Sequence, residues 1–216
     1  MKEIIIELLN KLNNEDGATY LVGGSVIHYL LNRETNDLDF ATTLNNEVLI
    51  KLFPDAIIGD FGSLKVEYLG YHIDITHLRS DLSIDKGYPK YELTNDIKLD
   101  SLRRDFTINA IYLNKDLEFI DYVSGLNDFD NKIIDVIGDI NIISDDPIRI
   151  LRAIRFMITY DFKLSDNLEN YIKNNINLIN NIKEHKLLKE IDKIKHLDYL
   201  KYNDYLINLG LDLSKY

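Results

Sequence analysis

The run Asp37-Leu38-Asp39-Phe40 leaves the fewest options for the fold. In a strand, residues two apart share a face, so Asp37 and Asp39 project together while Leu38 and Phe40 enter a core. Paired carboxylates are hard oxygen ligands, suited to Mg²⁺, which takes one or two carboxylates and completes its shell with substrate phosphates and water. Two such ions roughly 4 Å apart activate an attacking hydroxyl and neutralise the leaving oxygen of an in-line phosphoryl displacement. A short distance upstream, Tyr20-Leu21-Val22-Gly23-Gly24-Ser25 reads as an apolar strand ending in glycines. Gly23, Gly24 and Ser25 can bring backbone N–H groups up to a triphosphate, and Val26 to Leu31 reads as a helix whose N-terminus favours anions. Alone, a glycine pair is an ordinary tight turn and an Asp-x-Asp an ordinary solvated edge; together they point to nucleotide transfer.

The 216 residues suffice for one large domain or two modest ones, and two are expected. With no cysteine there is no disulfide framework, thiolate metal site or thiol nucleophile. No signal-peptide pattern or membrane span is evident, so the cytoplasm is expected by elimination. The net charge of −11 argues against a generic polyanion binder, because Lys and Arg contacts dominate nucleic-acid affinity. Any RNA must meet a local basic patch, and basic residues gather at Arg103-Arg104 and at Arg149, Arg152 and Arg155. Richness in Asn, Ile and Lys points to an A+T-rich coding sequence.

Residues 2–9 suit an amphipathic helix, and Asp37 to Thr42 a strand. Leu64 to Tyr68 and Tyr71 to Thr76 alternate around Gly70 and read as a hairpin, which places Asp74 on a strand. Residues 47–53 read as a short helix before Pro54, and 80–99, containing Gly87 and Pro89, as a mobile loop. Helix and strand alternate up to about residue 138, with a turn over Ser124 to Asp128. Asp145-Asp146-Pro147 then opens a helix ending near Tyr160, and helices continue to Tyr216. The expected division is 1–138 and 139–216. The Asn-rich stretch from Asn174 to Asn181 reads as a transition between helix and loop.

Two longer motifs complete the pattern: Leu102-Arg103-Arg104-Asp105-Phe106-Thr107-Ile108-Asn109-Ala110, and Asp145-Asp146-Pro147-Ile148-Arg149-Ile150-Leu151-Arg152-Ala153-Ile154-Arg155-Phe156. With the glycine pair and Asp37-x-Asp39 ahead of them, the chain resembles class II tRNA nucleotidyltransferases and bacterial poly(A) polymerases, of the DNA polymerase β-like superfamily. The resemblance runs from about residue 17 to about residue 165. It implies an α+β fold: a nucleotidyltransferase head with a small mixed sheet over 1–138, then an all-helical neck over 139–216. It also implies attack by an RNA 3′-hydroxyl, that of tRNA first, on the α-phosphate of CTP or ATP, with Mg²⁺ as cofactor and pyrophosphate leaving. Addition of only C or only A, oligo(A) addition to other RNA, and a non-catalytic nucleotide- or RNA-binding derivative are the alternatives.

Under this resemblance Asp37 and Asp39 match the metal-binding pair, and Asp74 either assists them or is a solvated hairpin carboxylate. Arg104 would reach phosphate and Asp105 the ribose hydroxyls, in keeping with guanidinium and carboxylate geometry. Arg103 and Asn109 line that region or are structural. Asp146 and Arg149, three apart at a helix start, offer an acceptor beside donors. That pair suits the amino group and ring nitrogen of cytosine or adenine. Uracil and guanine would set a carbonyl against the carboxylate, at a cost of about 1–3 kcal/mol. Either aspartate can instead cap the helix. Arg152 is expected as a ligand, with Arg155 open. Three features depart from the family: Ile27-His28 replaces its Arg-Asp, Asp145 stands where it has Glu, and the body and tail domains that grip tRNA are not evident. The loop between Arg79 and Tyr91 keeps only the outline of the family's flexible element.

Overall fold

The computed structural model describes residues 1–59, 62–85 and 88–216. They form two compact units: Met1–Leu82 with Lys90–Arg104 and Ile108–Gly125, and Leu126–Tyr216 with Ser83–Pro89 and Asp105–Thr107. The second unit therefore takes in residues 126–138, which the sequence pattern groups with the head.

The first unit opens with α1 (Lys2–Asn13), whose Ile5, Leu8, Leu9 and Leu12 are fully buried at helical spacing. Asn13 locks this helix to the strand that follows: its amide donates to the carbonyls of Leu9 and Thr19 at 2.8 and 3.0 Å and accepts from the Thr19 N–H at 2.9 Å. Next come β1 (Thr19–Val22), α2 (Gly24–Leu30), β2 (Asp37–Thr42) and α3 (Asn46–Leu52), the last capped by Asn45 through a 3.0 Å bond from Val48 N–H. The edge strand β3 (Ile57–Ile58) precedes the hairpin of β4 (Leu64–Tyr68) and β5 (Tyr71–His77). Leu69 and Gly70 both have positive φ, the two-residue turn whose twist matches paired strands.

Residues 80–99, expected as a loop, instead form a two-stranded ribbon, β6 (Arg79–Asp85) with β7 (Tyr88–Leu93), followed by α4 (Ile97–Leu102). Gly87 and Pro89, residues typical of loops, fall within its sequence and mask the short alternation of Leu82 with Ile84 and of Tyr91 with Leu93. Gly87, part of that expected loop, lies outside the described residues. The buried β8 (Ile111–Leu113) and β9 (Phe119–Asp121) complete a seven-stranded mixed sheet in the order β3-β4-β5-β2-β1-β8-β9. Only β2 and β5 run parallel within it; the other pairs are antiparallel.

The second unit begins at α5 (Gly125–Asp130), a helix where a turn was expected, entered through Ser124 at positive φ. A short parallel pair joins β10 (Ile133–Ile134), within the stretch expected to alternate helix and strand, to β11 (Lys163–Leu164), a strand in the stretch expected to be all-helical. Between them lie α6 (Ile142–Asp145) and α7 (Ile148–Tyr160). Asp145 thus ends one helix, and Pro147 stands at the start of the next. Helix α7 buries Ile150, Leu151, Ile154 and Met157, and Phe156 stacks on Tyr160 at 6.0 Å. Then come α8 (Asp166–Asn175), capped by Ser165, α9 (Glu184–Lys195) and α10 (Asn203–Asn208). Among the described residues no helix is long and apolar enough to cross a membrane.

Arg155, left open by the sequence, pairs with Glu190 of α9, a carboxylate only 5% exposed that Lys193 also reaches at 3.0 Å. Burial alone would raise the Glu190 carboxyl, but the bonds from Arg155 and Lys193 hold it below its ordinary range. Replacing one member strands the other's charge. Glu190→Leu should therefore cost roughly 3–5 kcal/mol in urea unfolding, and Glu190→Leu with Arg155→Met should recover most of the loss.

Candidate active site

Parallel pairing of β2 with β5 sets Asp37 opposite His72 and Asp39 opposite Asp74. Alternation then puts Asp37, Asp39 and Asp74 on one face of the sheet, while Leu38, Phe40, Ile73 and Ile75 are buried on the other. The three carboxylates line one cavity of about 510 Å³, with Lys65 of β4 directly across from Asp74. Asp37 and Asp39 are exposed, whereas Asp74 is half-buried and its Oδ1 has no hydrogen-bond partner among the described residues. Burial raises the Asp74 carboxyl above its ordinary range, and the Lys65 ammonium opposes that shift.

The glycine turn packs directly on this pair. Gly23 has φ 68° and ψ −144°, a conformation nearly closed to other residues, and a Cβ there would sit 3.5 Å from Asp39 Oδ2. Gly24 begins α2. The buried Ser25 hydroxyl accepts from the Asp39 N–H at 2.8 Å and donates to the Asp37 carbonyl at 3.3 Å. Ser25 thus clamps the backbone that carries both aspartates. Ile27, one of the departures from the family pattern, is fully buried in α2, so an apolar residue suits its place. His28 is half-buried and held below its ordinary range chiefly by that burial.

Among the described residues no three acidic or histidine side chains already converge as a metal cage. The donors present nonetheless fit a hard cation: two exposed carboxylates, a third beside them with an unused buried oxygen, and open cavity. Mg²⁺ needs no more protein ligands than this, because waters and substrate phosphates supply the rest.

Arg104 lies elsewhere in its chemistry. Its guanidinium donates to Asp100 Oδ2 at 2.9 Å and to the Tyr112 hydroxyl at 2.8 Å, with a 3.5 Å contact to the carbonyl of the buried Asn109. Asp100 is fully buried and also receives Arg103 at 2.7 Å, the Tyr112 hydroxyl at 2.6 Å and the Arg79 N–H at 3.0 Å. Burial would raise its carboxyl, yet the two guanidiniums and the hydrogen bonds bring it down to about 2. Tyr112 is raised, first by burial. The sequence reading missed Asp100, although its positions three and four before Arg103 and Arg104 mark helical ion pairs.

In the second unit Asp105 and Arg152 are brought together. Asp105 Oδ2 accepts from Arg152 Nε and Nη2 at 2.7 and 2.6 Å, while Oδ1 accepts from the Phe106 N–H at 2.9 Å. Asp105 raises the Arg152 guanidinium further above its ordinary range. Asp146 does not cap α7 through its side chain; its carbonyl accepts the Arg149 N–H at 3.0 Å. Arg149 in turn donates from Nη1 to the Ile142 carbonyl at 2.9 Å, anchoring its guanidinium to α6.

The model of the family described as Poly A polymerase head domain matches residues 19–135. The chain is 32% identical to the CCA-adding enzyme of Bacillus licheniformis, over 84% of this chain and 47% of that protein. It is 36% identical to the A-adding tRNA nucleotidyltransferase of Aquifex aeolicus, over 74% of this chain and 20% of that one. A crystal structure of the Bacillus stearothermophilus CCA-adding enzyme in complex with CTP superposes with a TM-score of 0.82 at 26% identity, covering 94% of this chain and 51% of the other. The chain spans about half the length of the CCA-adding relatives it matches.

The Asp100 hub makes a pH-dependent prediction. A carboxyl held at about 2, against 3.8 when unfolded, adds stability fully present above about pH 4 and lost as pH falls toward 2. Asp100→Asn should cost roughly 3–5 kcal/mol in urea unfolding at pH 7. The difference from the parent should shrink steadily between pH 4 and pH 2.

Proposed function

The chain belongs to the poly(A) polymerase head-domain family, and from that premise we propose that it is an RNA nucleotidyltransferase adding C and A residues to an RNA 3′ end, that of tRNA first. Its substrates are CTP and ATP, its cofactor Mg²⁺, and its place the cytoplasm. The sheet is the nucleotidyltransferase head, and the helices from α6 onward are the neck. The observation that carries this reading is the β2–β5 register, which gathers Asp37, Asp39 and Asp74 in one cavity beside the Gly23 turn.

Asp37 and Asp39 hold the divalent cation, with Asp74 supporting it from the next strand. The cation supplies Lewis acidity at the reacting phosphate and lowers the cost of an attacking hydroxyl. Gly23 and Gly24 keep the approach to the phosphates free of side chains, and Ser25 holds the two aspartates at their spacing. Asp105 fixes Arg152 and, as a carboxylate, suits a ribose hydroxyl donor. Arg104 acts as a positioning residue through Asp100 and Tyr112 rather than through the phosphates. Asp146 accepts from the amino group of cytosine or adenine, and the anchored Arg149 donates to the adjoining ring nitrogen.

Incubation of the chain with tRNA lacking its 3′ terminus, Mg²⁺ and each labelled nucleotide in turn tests the reading. CTP and ATP should be incorporated, and UTP and GTP rejected. Asp39→Ala should lower the rate by about a thousandfold, the several kcal/mol that a metal-binding site contributes. No incorporation by folded protein would contradict the activity. Asp146→Ala should retain incorporation while losing about 10- to 100-fold of the discrimination against UTP.

A further inference from the structure

A second cavity, of about 280 Å³, adjoins the first and shares Lys65 and Asp74 with it. The sign of the lining reverses between them. Asp37, Asp39, Asp55, Glu67 and Asp74 make the first acidic. In the second, Lys65, Arg79 and Arg103 face Asp74 as the lone carboxylate among the described lining residues. The carboxylates paired with the two arginines are not among the lining residues: Arg79 pairs with Asp81 at 3.3 Å and Arg103 with the buried Asp100. Asp100 also accepts the backbone N–H of Arg79, so one carboxylate holds the Arg103 guanidinium and the main chain that carries Arg79. Burial and the neighbouring Arg103 both lower the Arg79 guanidinium, so an anion placed between them would relieve a repulsion. His77 is held below its ordinary range by burial and bonds Asn46, so it adds no charge at neutral pH. The Arg79 guanidinium carbon stands over the Tyr91 ring, 5.0 Å from its centroid, which puts an aromatic face at the cavity.

On the proposed function, we infer that this basic cavity binds a backbone phosphate of the RNA whose 3′-hydroxyl reacts, with Lys65, Arg79 and Arg103 as its ligands and Tyr91 as a stacking surface for the neighbouring base. Sheet order separates the two phosphate sites. Lys65 lies on β4 and the Gly23 turn follows β1, with β5 and β2 between them. At roughly 4.8 Å per strand the cavity and the turn stand about 10–15 Å apart, with Asp39 and Asp74 in the middle. The arrangement suits an in-line displacement, in which the attacking and leaving oxygens lie on opposite sides of the reacting phosphorus. The triphosphate takes the glycine side and the RNA the basic side. A chain of net charge −11 that places three cations in one lining meets polyanionic RNA locally, as its overall charge demands.

The test reads RNA binding without catalysis: anisotropy of a short labelled RNA ending in two cytidines, with no nucleotide present, across a range of salt. Arg79→Gln should weaken binding about 5- to 10-fold and reduce the slope of log K against log salt by about 0.7 to 1, while Arg79→Lys keeps most of both. CTP affinity should be unchanged, and in turnover the loss should fall on KM for RNA rather than on kcat. Lys65→Gln, at an exposed strand position, should weaken RNA binding and lower the salt slope by similar amounts, and these two readouts decide the matter if Arg79→Gln fails to fold. Loss of CTP affinity with RNA binding intact would overturn the inference by assigning the cavity to the triphosphate. RNA binding equal to the parent in the folded variants would overturn it as well. Failure to incorporate nucleotides, with the RNA-binding loss present, would count against the proposed activity alone.

Discussion

The parallel pairing of β2 with β5 is the constraint on which the site depends. A shift of one residue would turn Asp74 into the core and bring Ile73 or Ile75 up beside Asp39, because side chains alternate at every step along a strand. What prevents that shift is hydrophobic: Leu38, Phe40, Ile73 and Ile75 are all buried to within a few per cent, and each carries roughly 1.5–3 kcal/mol of burial. The acidic cluster is therefore held by apolar residues that never touch it. Ser25 adds a local lock, spending both capacities of one hydroxyl on the backbone of the Asp-x-Asp run.

Charge is arranged by the same logic. A buried carboxylate is expensive unless its hydrogen-bonding sites are filled, and Asp100 has Arg103, Arg104, Tyr112 and the Arg79 backbone to fill them. The result is a rigid cationic wall made from residues that would otherwise repel one another. Asp74, by contrast, is left with an unused oxygen and a carboxyl raised by burial, so a cation bound nearby would favour its charged form. One acid is satisfied by the fold and the other awaits a ligand, and they differ only in what surrounds them.

The strands around the site were legible because they alternate. Asp37–Thr42 and the hairpin about Gly70 follow from periodicity alone, and the glycine turn from its composition. The ribbon of β6 and β7 was not, since Gly87 and Pro89 interrupt its sequence, and neither was the two-residue pair of β10 and β11, too short to show any period. Among the site residues, the roles of Arg104 and Arg152 turned on partners far away in sequence or hidden in burial. Arg152 meets an aspartate 47 positions earlier, a relation no local pattern encodes. Arg104 meets Asp100 only four positions back, a helical spacing readable in the sequence, whereas the phosphate contact expected of it rested on the family resemblance.

The central claim is that the β2–β5 register builds a divalent-cation site from Asp37, Asp39 and Asp74. Titration of Mn²⁺ into the chain in the presence of CTP, followed by electron paramagnetic resonance of the free ion, measures it most directly. The account predicts saturable binding that Asp37→Asn or Asp39→Asn abolishes and Asp74→Asn weakens, with the folded state intact in each. Binding that survives loss of both Asp37 and Asp39 would contradict it.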